Sequence, residues 1–483
     1  MPPIDTLGLK LNWLAQSCVF RQRGVMRVIR TLIPLLVALP TTLPVPAEGA
    51  SGEGAVTFNR QIAPIIYHNC SACHRPGEAA PFPLLSYQQV AKKGKTIAKA
   101  TASHYMPPWK AEPASYAYRD ERRLSDAEIE LIQAWVKEGM PEGDPAQKPH
   151  PPTFASGWQL GEPDLVVEMP AAFHVPADGP DIYRNIPVPL GLMEDKWITA
   201  IDMRPSARAV VHHVLYFADA NGKVHERSQQ GTEPGFSGMR VGGSPIALGG
   251  WAIGAQPHFY PDGLALHVPK GSDLVVQYHF HPTGKPEAEK SLIGLYFAKK
   301  PPERTLTRIQ MPPHYSLFSG LDIPAGTKDF VLRDSYVLPV AVDGIGMSAH
   351  AHYIATRLLM TATLPSGETK TLLLIKDWDF AWQDRYFFKD PVPLPAGTRL
   401  DVEIHWDNSA GNPHNPSTPP VHVTWGEESK DEMGSVSLIA VAHDESQLGV
   451  LREDVDRRTR QLVRDRLLAE PALKEKLAQL LSN

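Results

Sequence analysis

Beyond residue 164 the chain is written in short apolar runs, alternating or β-branched, at 197–203, 209–217, 273–280, 292–297, 372–375 and 400–406. Such period-two patterning marks half-buried and buried strands rather than helices. Turn chemistry separates many of them, as in Asn221-Gly222, Pro261-Asp262-Gly263, Pro324-Ala325-Gly326, Pro365-Ser366-Gly367 and Pro395-Ala396-Gly397. The pattern predicts a mainly β protein built of sandwiches. A Pro-rich junction at Pro301-Pro302 divides the region into two predicted domains, 164–300 and 301–445. Helical periodicity is confined to the flanks. Ile62, Ile65 and Ile66 predict an opening helix, and Ser125 with Glu128 forms a capping box ahead of Ile129, Ile132 and Trp135/Val136, which Gly139 and Pro141 bring to an end. Over 446–483, Leu451, Val455, Leu462, Leu467 and Leu468 among alternating charges predict a terminal helix interrupted by Pro471. Between them, 141–163 carries Pro141, Pro145, Pro149, Pro151 and Pro152 and reads as a semi-rigid linker.

The N-terminus follows a different rule. Arg21, Arg23, Arg27 and Arg30 precede an apolar run over 32–45 and a small-residue stretch ending at Ala50, the three-part layout of a secretory signal. The run is broken by prolines and falls short of the ~20 residues that cross a bilayer. Residues 1–50 are therefore expected to be an address, with Met26 a candidate true start, and the protein is expected in the periplasm or otherwise outside the cytoplasm, without a stable membrane span. Proline, 47 of 483 residues, disfavours long helices and supports the β reading. A formal charge of -5 gives no footprint for nucleic acid. Only Cys18, Cys70 and Cys73 stand beside 19 histidines, so a disulfide framework and a four-cysteine zinc site are both excluded.

Cys70-Ser71-Ala72-Cys73-His74 is a Cys-x-x-Cys-His motif, in which two thiols bond to haem vinyl groups and the adjacent imidazole ligates iron. A thioredoxin-like pair has no need of that histidine, and a zinc ribbon needs a second ligand pair that the chain lacks. Residues 55–140 resemble a small cytochrome c domain: opening helix, attachment motif, loop, closing helix. The resemblance implies one covalent haem c with His74 and Met106 as axial ligands. Met106 lies in Tyr105-Met106-Pro107-Pro108-Trp109 before the last helix, with His104 the runner-up and Met140 less favoured.

Three histidine groups punctuate the β region: His212-His213, His279-Phe280-His281 and His350-Ala351-His352. Alternation puts the two imidazoles of His-x-His on one strand face, whereas adjacent histidines diverge unless the strand is twisted or bulged. Imidazole suits copper, zinc, nickel or iron, and without further thiolate the site is neither blue copper nor iron–sulfur. The ordered elements Val211-His212-His213-Val214, Gln277-Tyr278-His279-Phe280-His281, Ser348-Ala349-His350-Ala351-His352-Tyr353 and Asp431-Glu432-Met433-Gly434 resemble the copper type II, ascorbate-dependent monooxygenases. That family includes peptidylglycine α-hydroxylating monooxygenase and dopamine β-monooxygenase, and the likeness covers about 164–443.

The resemblance implies two antiparallel jelly rolls with one copper on each. His212, His213 and His279 would hold the electron-transfer copper, and His350, His352 and Met433 the copper that activates dioxygen. A thioether favours Cu(I) while two imidazoles keep Cu(II) accessible. His281 shares the strand face of His279 and is a candidate supporting or substitute ligand. His258, His267, His405, His414 and His422 are left unassigned. The two β-domains contain no cysteine, unlike the disulfide-bonded eukaryotic hydroxylases. Where peptidylglycine monooxygenase anchors its substrate with an arginine and a tyrosine, this chain has Ser348 and Ser437, which argues against amidation of glycine-extended peptides.

The expected protein is thus an exported monooxygenase that inserts one atom of molecular oxygen into a C–H bond of a small organic substrate. Its own cytochrome c, fed by an external electron donor, would take the place of ascorbate. The rival expectation is a periplasmic haem and copper electron-transfer or copper-carrier protein. A third is that the copper sites have decayed and the β-domains scaffold the cytochrome.

Overall fold

Short runs closed by Pro-x-Gly turns do become strands, and the glycines at those turns, Gly367 and Gly397 among them, take φ of 87° and 82°, a region that only glycine enters freely. The computed structural model describes residues 54–470 and 473, apart from 79, 155–156, 240, 243–244, 253–255, 262, 314–317 and 427. The expected signal segment with Met26 and Cys18, and the interrupting Pro471, lie outside the described residues.

The helical part opens with a π-turn at Phe58–Ile62 that runs into α1 (Ala63–Asn69), followed by α2 (Tyr87–Ala102) and α3 (Asp126–Lys137). The expected capping box forms at α3, with Ser125 N donating to Glu128 Oε2 at 2.8 Å and Ser125 Oγ accepting from Glu128 N at 3.3 Å. Helix α2 stands where the sequence predicts a loop. Lys92, Lys93, Lys95 and Lys99 with Gly94 dilute its apolar periodicity, yet Val90, Ile97 and Ala98 bury one face against Phe58, Ile62, Ile66, Ile132 and Trp135. Met140 Sδ fills the space that a Cβ on Gly94 would take.

After α2 the chain departs from the helical core. Trp109, Ala111 and Tyr118 are buried in the core of the second β-half, and Glu112 N donates to Leu374 O at 2.8 Å and Arg119 N to Phe387 O at 2.7 Å. The segment 55–140 is therefore stitched into the β region, and residues 53–483 form one compact unit. The expected linker 141–163 is fastened at both ends, by Phe58 N to Pro141 O at 2.9 Å and by Tyr296 OH to Gly161 O at 2.6 Å.

The first half carries β1 (Leu165–Glu168), β2 (Phe173–Val175), β3 (Ile182–Pro189), β4 (Lys196–Arg204), β5 (Val211–Asp219), helix α4 (Lys223–Ser228), β6 (Phe236–Ser237), β7 (Ile246–Ala252), β8 (Leu264–Val268), β9 (Asp273–Phe280), β10 (Glu287–Glu289) and β11 (Leu292–Phe297). The second carries β12 (Arg304–Met311), β13 (Asp322–Ile323), β14 (Phe330–Val337), β15 (Val342–Ala351), β16 (Ala355–Thr363), β17 (Thr369–Ile375), β18 (Arg385–Leu394), β19 (Arg399–Trp406), β20 (Val423–Thr424) and β21 (Gly434–Ala442), then α5 (Leu448–Ala469). The fold is mainly β. The five-stranded sheet β6-β3-β9-β5-β7 shares a core with β1-β11-β4-β8 through Ile186, Val214, Tyr278, Ile198 and Leu295. The sheet β14-β19-β16-β17 shares another with β12-β21-β15-β18 through Leu358, Ile404, Met347, Tyr386 and Leu438.

The two halves are not separate beads either. One eight-stranded sheet, β1-β11-β4-β8-β12-β21-β15-β18, runs through both, joined by a parallel pair that sets Leu264 beside Arg304 and Ala265 beside Thr305. Helix α5 is clamped to β14 by Arg458 on Asp334 at 2.5 Å. Among the described residues no helix is long and apolar enough to cross a membrane.

Candidate metal centre

The first histidine group is made by a β-bulge. Strands β5 and β9 pair with Val211 opposite Phe280 and His213 opposite His279, so His212 is an extra residue on β5. The bulge turns adjacent histidines to one side: the rings of His212 and His213 are 5.2 Å apart, and each lies 4.8 Å from that of His279. One ligand nitrogen from each falls within 4.8 Å of the others. Two imidazole nitrogens at ~2.1 Å from one ion are at most ~4.2 Å apart, so ring shifts below an ångström complete the site.

The donor chemistry fits a cation. Nδ1 of His212 and Nδ1 of His213 face each other at 3.0 Å. Nδ1 of His279 is buried without a hydrogen bond, while its Nε2 lies 3.0 Å from Asp181 Oδ2. Burial pushes His212 down to about 3 and His213 well below its ordinary value, so both are neutral at pH 7, the ligating form. Buried imidazole nitrogens without partners are what a bound metal satisfies. His281 stands outside the cluster: its side chain is 60% exposed and its Nδ1 lies 2.7 Å from Asp181 Oδ1. Asp181 also accepts from Ser429 Oγ at 2.6 Å, which ties it to the segment leading to Met433.

The second group follows from register. Strands β15 and β21 pair with His350 opposite Ser435 and Ala351 opposite Gly434, and His352 and Met433 are the residues that adjoin this last pair at the end of the ladder. Opposed residues share a sheet face, as do residues two apart, which puts His350, His352 and Met433 on one side. The two histidine rings are 5.3 Å apart, and Met433 is buried. His350 Nδ1 meets Gln383 Oε1 at 2.6 Å, and His352 Nδ1 meets the Asp431 carbonyl at 3.1 Å. Because these oxygens only accept, the proton sits on Nδ1, which makes Nε2 the unprotonated nitrogen of each ring. Burial pushes His350 to about 4 and His352 to about 3.

Glu432 fastens this group. Its buried carboxylate accepts from His352 N at 3.0 Å, Ile354 N at 2.9 Å, Met433 N at 3.2 Å and Trp406 Nε1 at 3.0 Å. Burial pushes its carboxyl up to about 8 against the pull of these four donors. The Trp406 indole lies over the bare Cα of Gly434 and leaves no space for a Cβ. Gly434→Ala is expected to lower stability by ~1–3 kcal/mol in urea denaturation, since a rigid ring held by Glu432 must move; an unchanged midpoint would show that Trp406 yields freely.

Residues 376–384, between β17 and β18, bind the parts together. Trp378 Nε1 donates to His352 O at 3.0 Å, and Gln383 holds His350. Phe380 stacks on His212 at 4.8 Å between ring centres and meets His352 edge-on at 5.7 Å. Towards the helical part, Trp382 meets Tyr105 at 6.1 Å, Lys110 pairs with Asp377 at 3.2 Å and Arg122 with Asp384 at 2.5 Å. A cavity of about 600 Å³ opens between the halves, lined by His213 from the first group and by His350 and Met433 from the second.

The Cys-x-x-Cys-His segment forms a tight turn, His74 N donating to Cys70 O at 2.9 Å, with both thiols free and half-buried. His74 Nδ1 faces the Phe82 carbonyl at 3.0 Å, which leaves Nε2 for an iron and fits an axial ligand. The motif rests on the first β-half: Gln256 Nε2 is 3.6 Å from Cys73 Sγ, and Glu78 bridges Arg75 at 2.9 Å and Arg208 at 2.8 Å. Met106 is half-buried on the loop after α2, His104 is exposed with φ of 52°, and Met140 packs on the helical core.

Of the unassigned histidines, His258 lines the cavity, while His267, His405 and His422 pair with Asp195, Asp329 and Asp322. Sequence reasoning did not assign roles to Phe380, Gln383, Asp181 or Glu432. The alternating aromatics Trp378, Phe380 and Trp382 in a short inter-strand connection were the available signal.

No family model and no curated protein matches the chain. Among solved structures, the major capsid protein P2 of bacteriophage PM2 is 10% identical over 58% of this chain and 97% of its own, with a TM-score of 0.26. The infectious bursal disease virus VP2 subviral particle is 8% identical over 62% and 76%, TM-score 0.18, and PNGF-II is 8% identical over 58% and 64%, TM-score 0.23. At these scores the likeness carries no argument.

Proposed function

We propose that this protein is an exported copper monooxygenase of the ascorbate-dependent type, two jelly rolls fused to a cytochrome c domain that replaces ascorbate. One observation carries the reading: His212, His213 and His279 and the group of His350, His352 and Met433 converge on one aromatic ring, Phe380, and on one cavity. Copper held at the two groups would supply one-electron redox chemistry and dioxygen activation, and Cys70, Cys73, His74 and Met106 would hold a haem c that supplies one-electron transfer from an external donor. The chain's own residues prepare this. Desolvation keeps His212, His213, His350 and His352 neutral, Gln383 and Asp431 aim His350 and His352, Glu432 fixes the backbone that carries His352 and Met433, and the cavity holds a small organic substrate beside them. Among the contacts of the helical part with the β-halves are Cys73 at Gln256 and Tyr105 at Trp382, which suits electron entry from a fused donor.

The rival is a carrier of electrons or copper. An apolar cavity opening on His350 and Met433 favours an organic substrate over simple carriage. Elemental analysis and a haem assay on the mature protein are expected to give two coppers and one haem per chain. Reoxidation of the dithionite-reduced protein by oxygen is expected to quicken when substrate is added. Haem without copper would sink the proposal, and reoxidation indifferent to every organic additive would favour the carrier.

A further inference from the structure

One carboxylate of the first β-half is joined to both histidine groups. Asp181 immediately precedes β3, and its side chain is 12% exposed. Its Oδ2 lies 3.0 Å from His279 Nε2 and accepts from Ser429 Oγ at 2.6 Å, while its Oδ1 lies 2.7 Å from His281 Nδ1. Pairing with the exposed His281 occupies only one of the two oxygens. The other is turned to His279 of the first group and to Ser429, in the turn that leads into the second.

On the His279 side the ring is held from two directions. Tyr183 on β3 is directly opposite His279 on β9 and stacks on its ring at 4.4 Å between centres. A carboxylate only accepts, so Asp181 favours the tautomer with its proton on Nε2 and leaves the buried, unpartnered Nδ1 free of a proton. Stacking sets the plane of the ring, and the carboxylate sets its rotation within that plane and its protonation.

On the Ser429 side the link runs through the backbone. Ser429 is buried and lies in a turn closed by Asp431 N donating to Glu428 O at 2.9 Å. The Asp431 carbonyl holds His352 Nδ1 at 3.1 Å, and the next residue, Glu432, is the clamp on His352 and Met433. A displaced Ser429 moves the turn, and the turn carries the carbonyl that aims His352.

We propose that Asp181 is a positioning residue that couples the two metal groups, orienting His279 directly and, through Ser429, the turn that aims His352. The assignment rests on the reading of both groups as copper sites. Copper(II) is titrated by calorimetry into the full-length, haem-bearing chain after its copper has been removed with a chelator, and each loaded sample is examined by electron paramagnetic resonance. The binding event that His279→Ala abolishes belongs to the first group, and the remaining one to the second. Asp181→Asn is expected to weaken the first event by ~10–100-fold and to change its nitrogen hyperfine pattern, a signature that a purely structural carboxylate would not move. Ser429→Ala is expected to leave the first event within ~3-fold and to weaken the second by ~5-fold or more. A folded Asp181→Asn protein with the wild-type first event and spectrum overturns the proposal, as does a Ser429→Ala protein with an unchanged second event. If Asp181→Asn does not fold, Ser429→Ala decides alone. If the wild type and His279→Ala bind copper alike, the copper reading falls and the proposal with it; a failure confined to the Asp181 and Ser429 variants leaves that reading standing.

Discussion

Met433→Leu is expected to cut substrate-dependent oxygen consumption by at least ~100-fold while leaving haem content and melting temperature nearly unchanged. Leucine keeps the volume of a residue that is 3% exposed, so packing is preserved and only the thioether is lost. Copper content is expected to fall towards one per chain, because His350 and His352 alone make a poorer site than the three imidazoles of His212, His213 and His279. Met433→Ala is a less clean probe, since it adds a cavity worth ~2–5 kcal/mol to the ligand loss. A leucine variant that retains both coppers and the wild-type rate would make Met433 core filler and remove the oxygenase assignment from this group.

Glu432→Ala is expected to produce the largest loss of stability of any single change near the site, ~3–5 kcal/mol in urea denaturation. Its carboxylate is the acceptor for four buried donors, on His352, Ile354, Met433 and Trp406. Each orphaned donor costs ~1–3 kcal/mol, partly relieved by water entering the space left by the side chain. Glu432→Gln keeps the volume but points an amide N–H₂ at N–H groups, and an intermediate loss of ~2 kcal/mol is expected. Copper at the His350 group should weaken in both variants, because the backbone that sets His352 against Met433 is no longer clamped. A Glu432→Ala protein that unfolds at the wild-type urea concentration would show that these four bonds add little beyond solvation.

Much of the fold was legible because strands and turns are local. The runs 273–280 and 292–297 are β9 and β11 to the residue, and the Pro-x-Gly turns fell where predicted. The closing helix was equally plain, since the capping box of Ser125 and Glu128 is a four-residue signal. Helix α2 was not, because lysines and Gly94 obscure its apolar face, and the side chain that fills the space beside Gly94 is Met140, dozens of residues away. The stitching of 109–122 into the second β-half was likewise invisible, as it depends on backbone bonds to β17 and β18.

The same division runs through the site. By itself the sequence determined the chemical inventory: imidazoles and a thioether without thiolate in the β region, a Cys-x-x-Cys-His motif ahead of it, and His-x-His on one strand face by alternation. It left undecided whether adjacent His212 and His213 diverge. Tertiary structure decided that through a bulge, which exists only because β5 is matched to β9. It also brought Met433 and His352 to the same end of the β15–β21 ladder, gave Glu432 its four donors and set Phe380 between the two histidine groups. Alternation and turn preference are properties of a few consecutive residues, whereas register, bulges and cavities are set by which distant strands pair, and no local pattern encodes that choice.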